Sequence, residues 1–140
     1  IGDGGLQMNI QELQTVVHYN LPINVVILNN NGYGIIKQFQ DAYFESRYDA
    51  TGRGYSVPNF AKIAEAYGLQ YKRIDDIDDL KELEFYDGPA LIDISVPENS
   101  PITPKVEMDR FLHDQFPYGE SACPKPSVFD YPERPSQLGK

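Results

Sequence analysis

One helix-length and one strand-length of chain separate the segment Gly2-Asp3-Gly4-Gly5 from the segment Asn29-Asn30-Asn31-Gly32. No other feature of the sequence constrains its folding as much. Asn9, with Glu12 three residues later, has the form of a capping box and predicts a helix from Asn9 to about Tyr19. Ile10, Leu13, Val16 and Val17 give that helix one apolar stripe, and Asn20 and Pro22 stop it. Residues Asn24 to Leu28 then read as a short buried strand. At about 1.5 Å per helical residue the helix carries the chain about 16 Å, and five strand residues at about 3.3 Å each bring it about 16 Å back. Asp3 and Asn30 are therefore expected at the same edge of a sheet.

In an open α/β sheet, ligands bind at the edge outside the carboxyl ends of the strands. Asp3 offers an anionic oxygen and Asn30 a neutral one, hard donors suited to magnesium or calcium, and a magnesium site leaves its remaining positions to water and phosphate. Gly4 and Gly5 have no side chain to hold a phosphate away from the backbone amides, and the following helix aims its positive end the same way. Taken singly, Asp-Gly-Gly is a common turn and Asn-Asn-Asn-Gly a tight loop. Together, on a strand-helix-strand frame, they describe a cradle for a metal-bridged diphosphate.

These residues resemble the signature of the thiamine diphosphate-dependent enzymes, a GDG followed some two dozen residues later by NN. The sequence is similar in particular to the acetolactate synthase branch, through GDGGLQMNIQELQTVVHYNLPINVVILNNNGYGIIKQFQ, ESRY and FAKIAEAYGL. The likeness covers about residues 1 to 96 and is strongest over the first forty. It implies that Asp3 and Asn30 bind Mg²⁺ through side chains and Gly32 through its carbonyl oxygen. It also implies cofactor contacts from Gly2, Asp3, Gly4, Gly5, Asn30, Gly32, Tyr33, Gly34 and Ile35, those of Gly4 and Gly5 through backbone amides. Ile35 and Phe39 are the candidates to meet substrate. Phe39 stands where the best-known relative has Trp, which favours a larger second keto acid, so another acceptor is open.

The resemblance further implies a pyrimidine-binding module, from the rest of a longer polypeptide or from a second subunit, in a homodimer or homotetramer. That module would carry the activating glutamate. No acid of this chain sits in the matching motif, so no catalytic residue is assigned and the chain alone is expected to be inactive. A requirement for FAD stays open, and nothing in this chain supports it. Opening at Ile1 directly on the motif, the chain reads as a carboxyl-terminal piece of a larger protein, with a split subunit as the alternative.

Farther along, IIKQFQDAYFESRY reads as a helix with Ile35, Ile36, Phe39, Tyr43 and Phe44 on one side, a stripe expected to be core at Tyr43 and Phe44. Lys37 and Gln38 are expected to be solvated, with substrate contact as the alternative. Asp49 to Val57 is a glycine-containing loop that either closes over a ligand or merely connects. Asn59 or Ser56 starts a helix bearing Phe60, Ile63, Ala64 and Tyr67, and Gly68 ends it. LQYKRI is a strand, DDLKELEFY a short acidic helix, and ALIDISV a strand. The acidic run Asp75 to Asp79 fits a solvated helix start and is assigned no chemistry.

Alternation of this kind predicts an α/β fold, a mainly parallel sheet flanked by helices. From Pro97 onward eight of the eleven prolines appear, and residues 97–140 are expected to form an extended proline-rich C-terminal arm beside the cofactor-binding module of residues 1–96. Phe111, Phe116, Tyr118, Phe129 and Tyr131 favour an arm over a solvated tail.

A net charge of −9 argues against a nucleic-acid partner, which needs clustered Lys and Arg. No apolar run is long enough to span a membrane. Cys123 is alone, which suits a reducing cytoplasm, and with only His18 and His113 a zinc site is not expected. His18, late on its helix, reads as a surface residue, and His113 lies in the arm.

The function expected is thus a thiamine diphosphate-dependent decarboxylase and carboligase with a pyruvate donor and a 2-keto acid substrate. Transfer of the same two-carbon unit to a keto sugar in polysaccharide biosynthesis is one alternative. A non-catalytic cofactor-binding or scaffolding domain is the other.

Overall fold

A computed structural model describes residues 1–106 and 115–116. The first compact unit spans Ile1–Ile102, and the next begins at Thr103. In chain order the first unit contains α1 (Asp3–Met8), a 3₁₀ turn (Ile10–Glu12), α2 (Leu13–His18), β1 (Asn24–Asn29), α3 (Gly34–Tyr43), α4 (Phe60–Tyr67), β2 (Gln70–Ile74), a second 3₁₀ turn (Asp78–Glu82) and β3 (Ala90–Ser95). Among the described residues of the second unit, β4 (Lys105–Val106) pairs antiparallel with β5 (Gln115–Phe116). Phe111, His113, Tyr118, Cys123, Phe129 and Tyr131 lie outside the described residues, as does most of the expected arm.

The three strands of the first unit form a parallel sheet in the order β1-β3-β2, as α/β alternation predicts. Asn24 is in register with Ala90 and Asn29 with Ser95, while Gln70 also aligns with Ala90. Ile1 and Gly2 run beside β1, Gly2 bridging Leu28 and Ile1 O accepting from Leu28 N at 2.8 Å. The chain leaves this bridge at Gly2 and β1 at Asn29, so the two motif segments emerge at one sheet edge.

Side chains on a strand alternate between faces, and the core divides accordingly. Ile27 and Leu91 join Leu6, Leu13, Phe60, Ala64 and Leu69 in one buried cluster. Ile92, Ile94 and Ile74 form a smaller one on the other face, with Val26, Leu83 and Val96 packed against it. β3 is buried on both faces, the pattern of a central parallel strand.

Three local expectations are corrected. The helix expected from Asn9 to about Tyr19 is divided into the 3₁₀ turn and α2, and a separate helix, α1, precedes it from Asp3, with extended Gly2 at its N-cap. Asn9 instead ends α1, its N–H bonded to Leu6 O at 3.1 Å, and its side chain makes no cap bond. Glu12 accepts from Thr15 Oγ1, so the capping box does not form.

The helix expected from Ile35 to Tyr48 stops at Tyr43. Phe44 N and Ser46 N both bond Gln40 O, and Glu45 and Ser46 take left-handed φ of 53° and 57°, which no helix can continue. Tyr43 and Phe44 are 42% and 46% exposed, so this stripe is not core within the chain. Finally, the acidic segment makes only a 3₁₀ turn, since Leu83 turns extended and packs against the smaller cluster.

The α4 termini behave as their residues dictate. Asn59 Oδ1 accepts from Lys62 N at 3.0 Å, and Gly68 closes the helix at φ 75°. Among the described residues no helix is long and apolar enough to cross a membrane.

Candidate cofactor and metal site

All nine residues expected to contact a cofactor line one cleft of about 610 Å³: Gly2, Asp3, Gly4, Gly5, Asn30, Gly32, Tyr33, Gly34 and Ile35. Leu28, Ile36, Val96 and the segment Ser100–Ile102 complete its wall. Phe39, the other substrate candidate, does not line it. It lies a turn farther along α3, 38% exposed, with its ring 4.8 Å from Tyr43 and 5.7 Å from Phe44.

Asp3 is 1% exposed, a burial that a carboxylate tolerates only with partners. Its Oδ2 accepts from Gly32 N at 3.1 Å and from the Tyr55 hydroxyl at 2.9 Å. Its Oδ1 faces Asn30. One terminal atom of the Asn30 amide stands 3.1 Å from Asp3 Oδ1 and 2.7 Å from Gly32 O. Presenting NH₂ there, the amide would donate to both. Presenting its oxygen, it completes a corner of three oxygens with no proton between them.

The spacing tests which cation such a corner suits. Adjacent ligands of an octahedral magnesium at about 2.0–2.1 Å stand about 3 Å apart, whereas calcium at about 2.4 Å spreads them to about 3.4 Å. The contacts of 2.7 and 3.1 Å, which an amide NH₂ donating to both oxygens would equally give, lie nearer the magnesium spacing. A carboxylate, an amide oxygen and a carbonyl are hard donors of the type it prefers. Among the described residues no three His, Cys, Asp or Glu side chains cluster as a metal site, so this mixed set is the candidate.

Glycine is required here by contact. A Cβ on Gly4 would meet the Tyr33 ring, at 2.8 Å from Cζ and 2.9 Å from Cδ1. One on Gly34 would fall 2.6 Å from Asn30 Nδ2, and one on Gly32 would fall 2.8 Å from Thr51 O. The first α1 ladder bond is Leu6 N to Gly2 O, so the amides of Asp3, Gly4 and Gly5 precede it and stand at the cleft wall.

The residues that sequence reasoning missed hold this corner from behind. The loop of residues 49–57 is no loose connection: Thr51, 3% exposed, accepts from Tyr33 N at 3.4 Å and donates to Gln40 Oε1 at 2.7 Å. Gln7 Nε2 donates to the Tyr55 hydroxyl at 2.9 Å, and the Tyr55 and Tyr33 rings meet edge-on at 4.8 Å. Burial, then the bond to Asp3, push the Tyr55 pKa above its ordinary value, so the hydroxyl keeps its proton as a donor.

Lys37 and Gln38 also differ from expectation, tying down the segment that ends the cleft. Lys37 Nζ pairs with Glu98 at 2.7 Å, and Gln38 both donates to Ile102 O and accepts from Ile102 N at 3.3 Å. His18 is exposed against the Tyr19 ring, as expected.

A second polar group, also missed, braces the sheet. Asp93, 2% exposed, accepts from Asn29 Nδ2 at 3.0 Å, Tyr71 OH at 3.1 Å and Arg73 Nη1 at 2.6 Å. The signal was a lone carboxylate in an otherwise apolar strand, because a buried charge must be paired. Finding its partners required the parallel register, which sets Arg73 opposite Asp93.

Comparison with known proteins identifies the family to which the chain belongs. Residues 1–94 match the family described as thiamine pyrophosphate enzyme, C-terminal TPP binding domain. The acetolactate synthase large subunit of Porphyra purpurea is 39% identical over 109 residues, 75% of this chain and 18% of the relative. The mitochondrial acetolactate synthase catalytic subunit of Aspergillus candidus is 35% identical over 117 residues, 81% of this chain and 17% of the relative. A solved structure, the thiamine diphosphate-dependent 4-hydroxybenzoylformate decarboxylase of Rhodococcus jostii RHA1, is similar with a TM-score of 0.60 and 28% identity, covering 71% of this chain and 20% of that one. The chain thus spans under a fifth of the length of these curated relatives.

Proposed function

Because the chain belongs to the thiamine pyrophosphate enzymes, as their C-terminal cofactor-binding domain, we propose that it anchors thiamine diphosphate through Mg²⁺ in an acetolactate synthase-like carboligase. The observation that carries this reading is the convergence of the Asp3 carboxylate, the Asn30 amide and the Gly32 carbonyl in one cleft with the amides of Gly4 and Gly5. When bound, the cofactor supplies the electron sink for loss of CO₂ from a 2-keto acid.

The chain's own residues bind and orient. Asp3, Asn30 and the Gly32 carbonyl would hold the metal, the amides of Gly4 and Gly5 the diphosphate, and Tyr33, Gly34 and Ile35 the cofactor's flank. None of them moves a proton, and their contribution is to fix the reacting centre in place. Leu28, Ile36, Val96 and Ile102 give that side of the cleft an apolar lining.

The proposed donor is pyruvate and the acceptor a second 2-keto acid, a reading supported by relatives that are acetolactate synthases. Ile35 faces the substrate in this proposal, and Phe39 contributes only if the assembled enzyme brings substrate along α3. The activating glutamate comes from a pyrimidine-binding module, elsewhere in the polypeptide or in a second subunit of a homodimer or homotetramer. Exposure of Ile35, Ile36, Phe39, Tyr43 and Phe44 along α3 supports such a partner surface. A cytoplasmic location is supported by the single cysteine.

Calorimetric titration of the full-length protein with thiamine diphosphate, with and without Mg²⁺, tests the anchor. Binding that requires the metal is expected, and equal binding in its absence would overturn the metal bridge. Incubation with pyruvate tests the reaction. Acetolactate is the expected main product, and its absence despite tight cofactor binding would overturn the acceptor assignment.

A further inference from the structure

The Asp3 carboxylate is asymmetrically committed. Both lone pairs of Oδ2 are used within the protein, by Gly32 N at 3.1 Å and by the Tyr55 hydroxyl at 2.9 Å, while Oδ1 faces the Asn30 amide and the Gly32 carbonyl. The direction of the Tyr55 bond is fixed from the far side. Gln7 Nε2 is only a donor, so the phenolic oxygen must accept from it, and the phenolic proton is left for Asp3. The hydroxyl thus joins α1, which carries Gln7 and Asp3, to the loop before α4.

We propose that Tyr55 is a positioning residue for the metal, holding Asp3 so that it offers one oxygen, and one only, to the cation. This inference rests on the cofactor reading above. A carboxylate released on the Oδ2 side would swing about its Cβ–Cγ bond and present both oxygens, and magnesium accepts little departure from octahedral geometry. Gly32 N alone cannot prevent this, because Gly32 lends its carbonyl to the same corner and would move with it. Partners that orient a ligand from behind typically change metal affinity by about 10–100-fold when removed.

The test uses the full-length protein with Mn²⁺ as a paramagnetic probe for the Mg²⁺ site, free Mn²⁺ being read by electron paramagnetic resonance with thiamine diphosphate present. Tyr55→Phe keeps the ring and its edge contact with Tyr33 and removes only the hydroxyl. Its Mn²⁺ affinity is expected to fall by about 10-fold or more, and excess metal should restore the parent kcat. Gln7→Leu leaves the hydroxyl but frees its proton to turn, and a smaller loss in the same direction is expected. If the parent binds Mn²⁺ and both variants bind it equally well, Tyr55 has no positioning role. A kcat loss that excess metal does not restore overturns the proposal too. If the parent itself binds no Mn²⁺ with the cofactor, the cofactor reading falls first, and the two failures are told apart.

Discussion

Asn29 and Asn30 are adjacent in sequence and serve different sites. Asn29 donates to buried Asp93 at 3.0 Å on the side of the larger core cluster, whereas Asn30 turns toward Asp3 and the cleft. Asn29 is the last residue of β1 and keeps the face of Ile27, whereas Asn30 lies beyond the strand, where the chain turns toward Asp3.

The first prediction follows directly. Asn29→Ala strands Asp93 Oδ1 in the interior and should lower stability by about 1–3 kcal/mol with little change in metal affinity. Asn30→Ala should do the reverse. Thermal unfolding beside Mn²⁺ titration separates the two, and parallel losses in both variants would contradict the assignment.

Removing the charge at Asp3 takes the anionic ligand from the corner while leaving a side chain of the same shape. Asp3→Asn should weaken Mg²⁺-dependent thiamine diphosphate binding at least about 100-fold, beyond the effect of losing a partner behind a ligand. Calorimetry at fixed Mg²⁺ reads this as the disappearance of binding heat.

Gly34 opens α3, where alanine is intrinsically favoured over glycine by up to about 1 kcal/mol. A Cβ there nevertheless falls 2.6 Å from Asn30 Nδ2. Gly34→Ala should therefore leave the unfolding midpoint unchanged or slightly higher while reducing metal affinity about 10-fold, by displacing the amide. A drop in stability with unaltered metal binding would run against this.

Arg73 shares its guanidinium between Asp93 at 2.6 Å and Asp75 at 2.8 Å. Arg73→Met leaves the Asp93 charge to Asn29 and Tyr71 and should cost about 1–3 kcal/mol, the range of a charge-assisted bond to a partly exposed donor. Arg73→Lys should recover only part, since one ammonium lacks the fork that serves both carboxylates. Burial, then the Asp93 charge, push the Tyr71 pKa above its ordinary value, so its hydroxyl remains a donor to Asp93 through neutral pH in either variant.

Much of the site was legible because its parts are short and local. A glycine-aspartate turn, one helix-length, one strand-length and a pair of asparagines suffice to bring Asp3 and Asn30 to one edge, and small errors in where the helix begins do not change that sum. The expected helix did form over most of its length, but divided into a 3₁₀ turn and α2, and a further short helix, α1, precedes it from Asp3. Tyr43 and Phe44 were expected in the core because periodicity reports which side is apolar, not what covers it.

Chain order and residue type determined the α/β alternation, the parallel sheet, the cleft and the oxygens that meet there, since each depends on periods and lengths written locally. Only the tertiary structure decided what holds them. Tyr55 reaches Asp3 across 52 residues and Asn29 reaches Asp93 across 64, and no local pattern encodes a partner at that distance. Such pairs are chosen by strand register and by the need of a buried charge for donors, and both exist only once the chain has closed on itself.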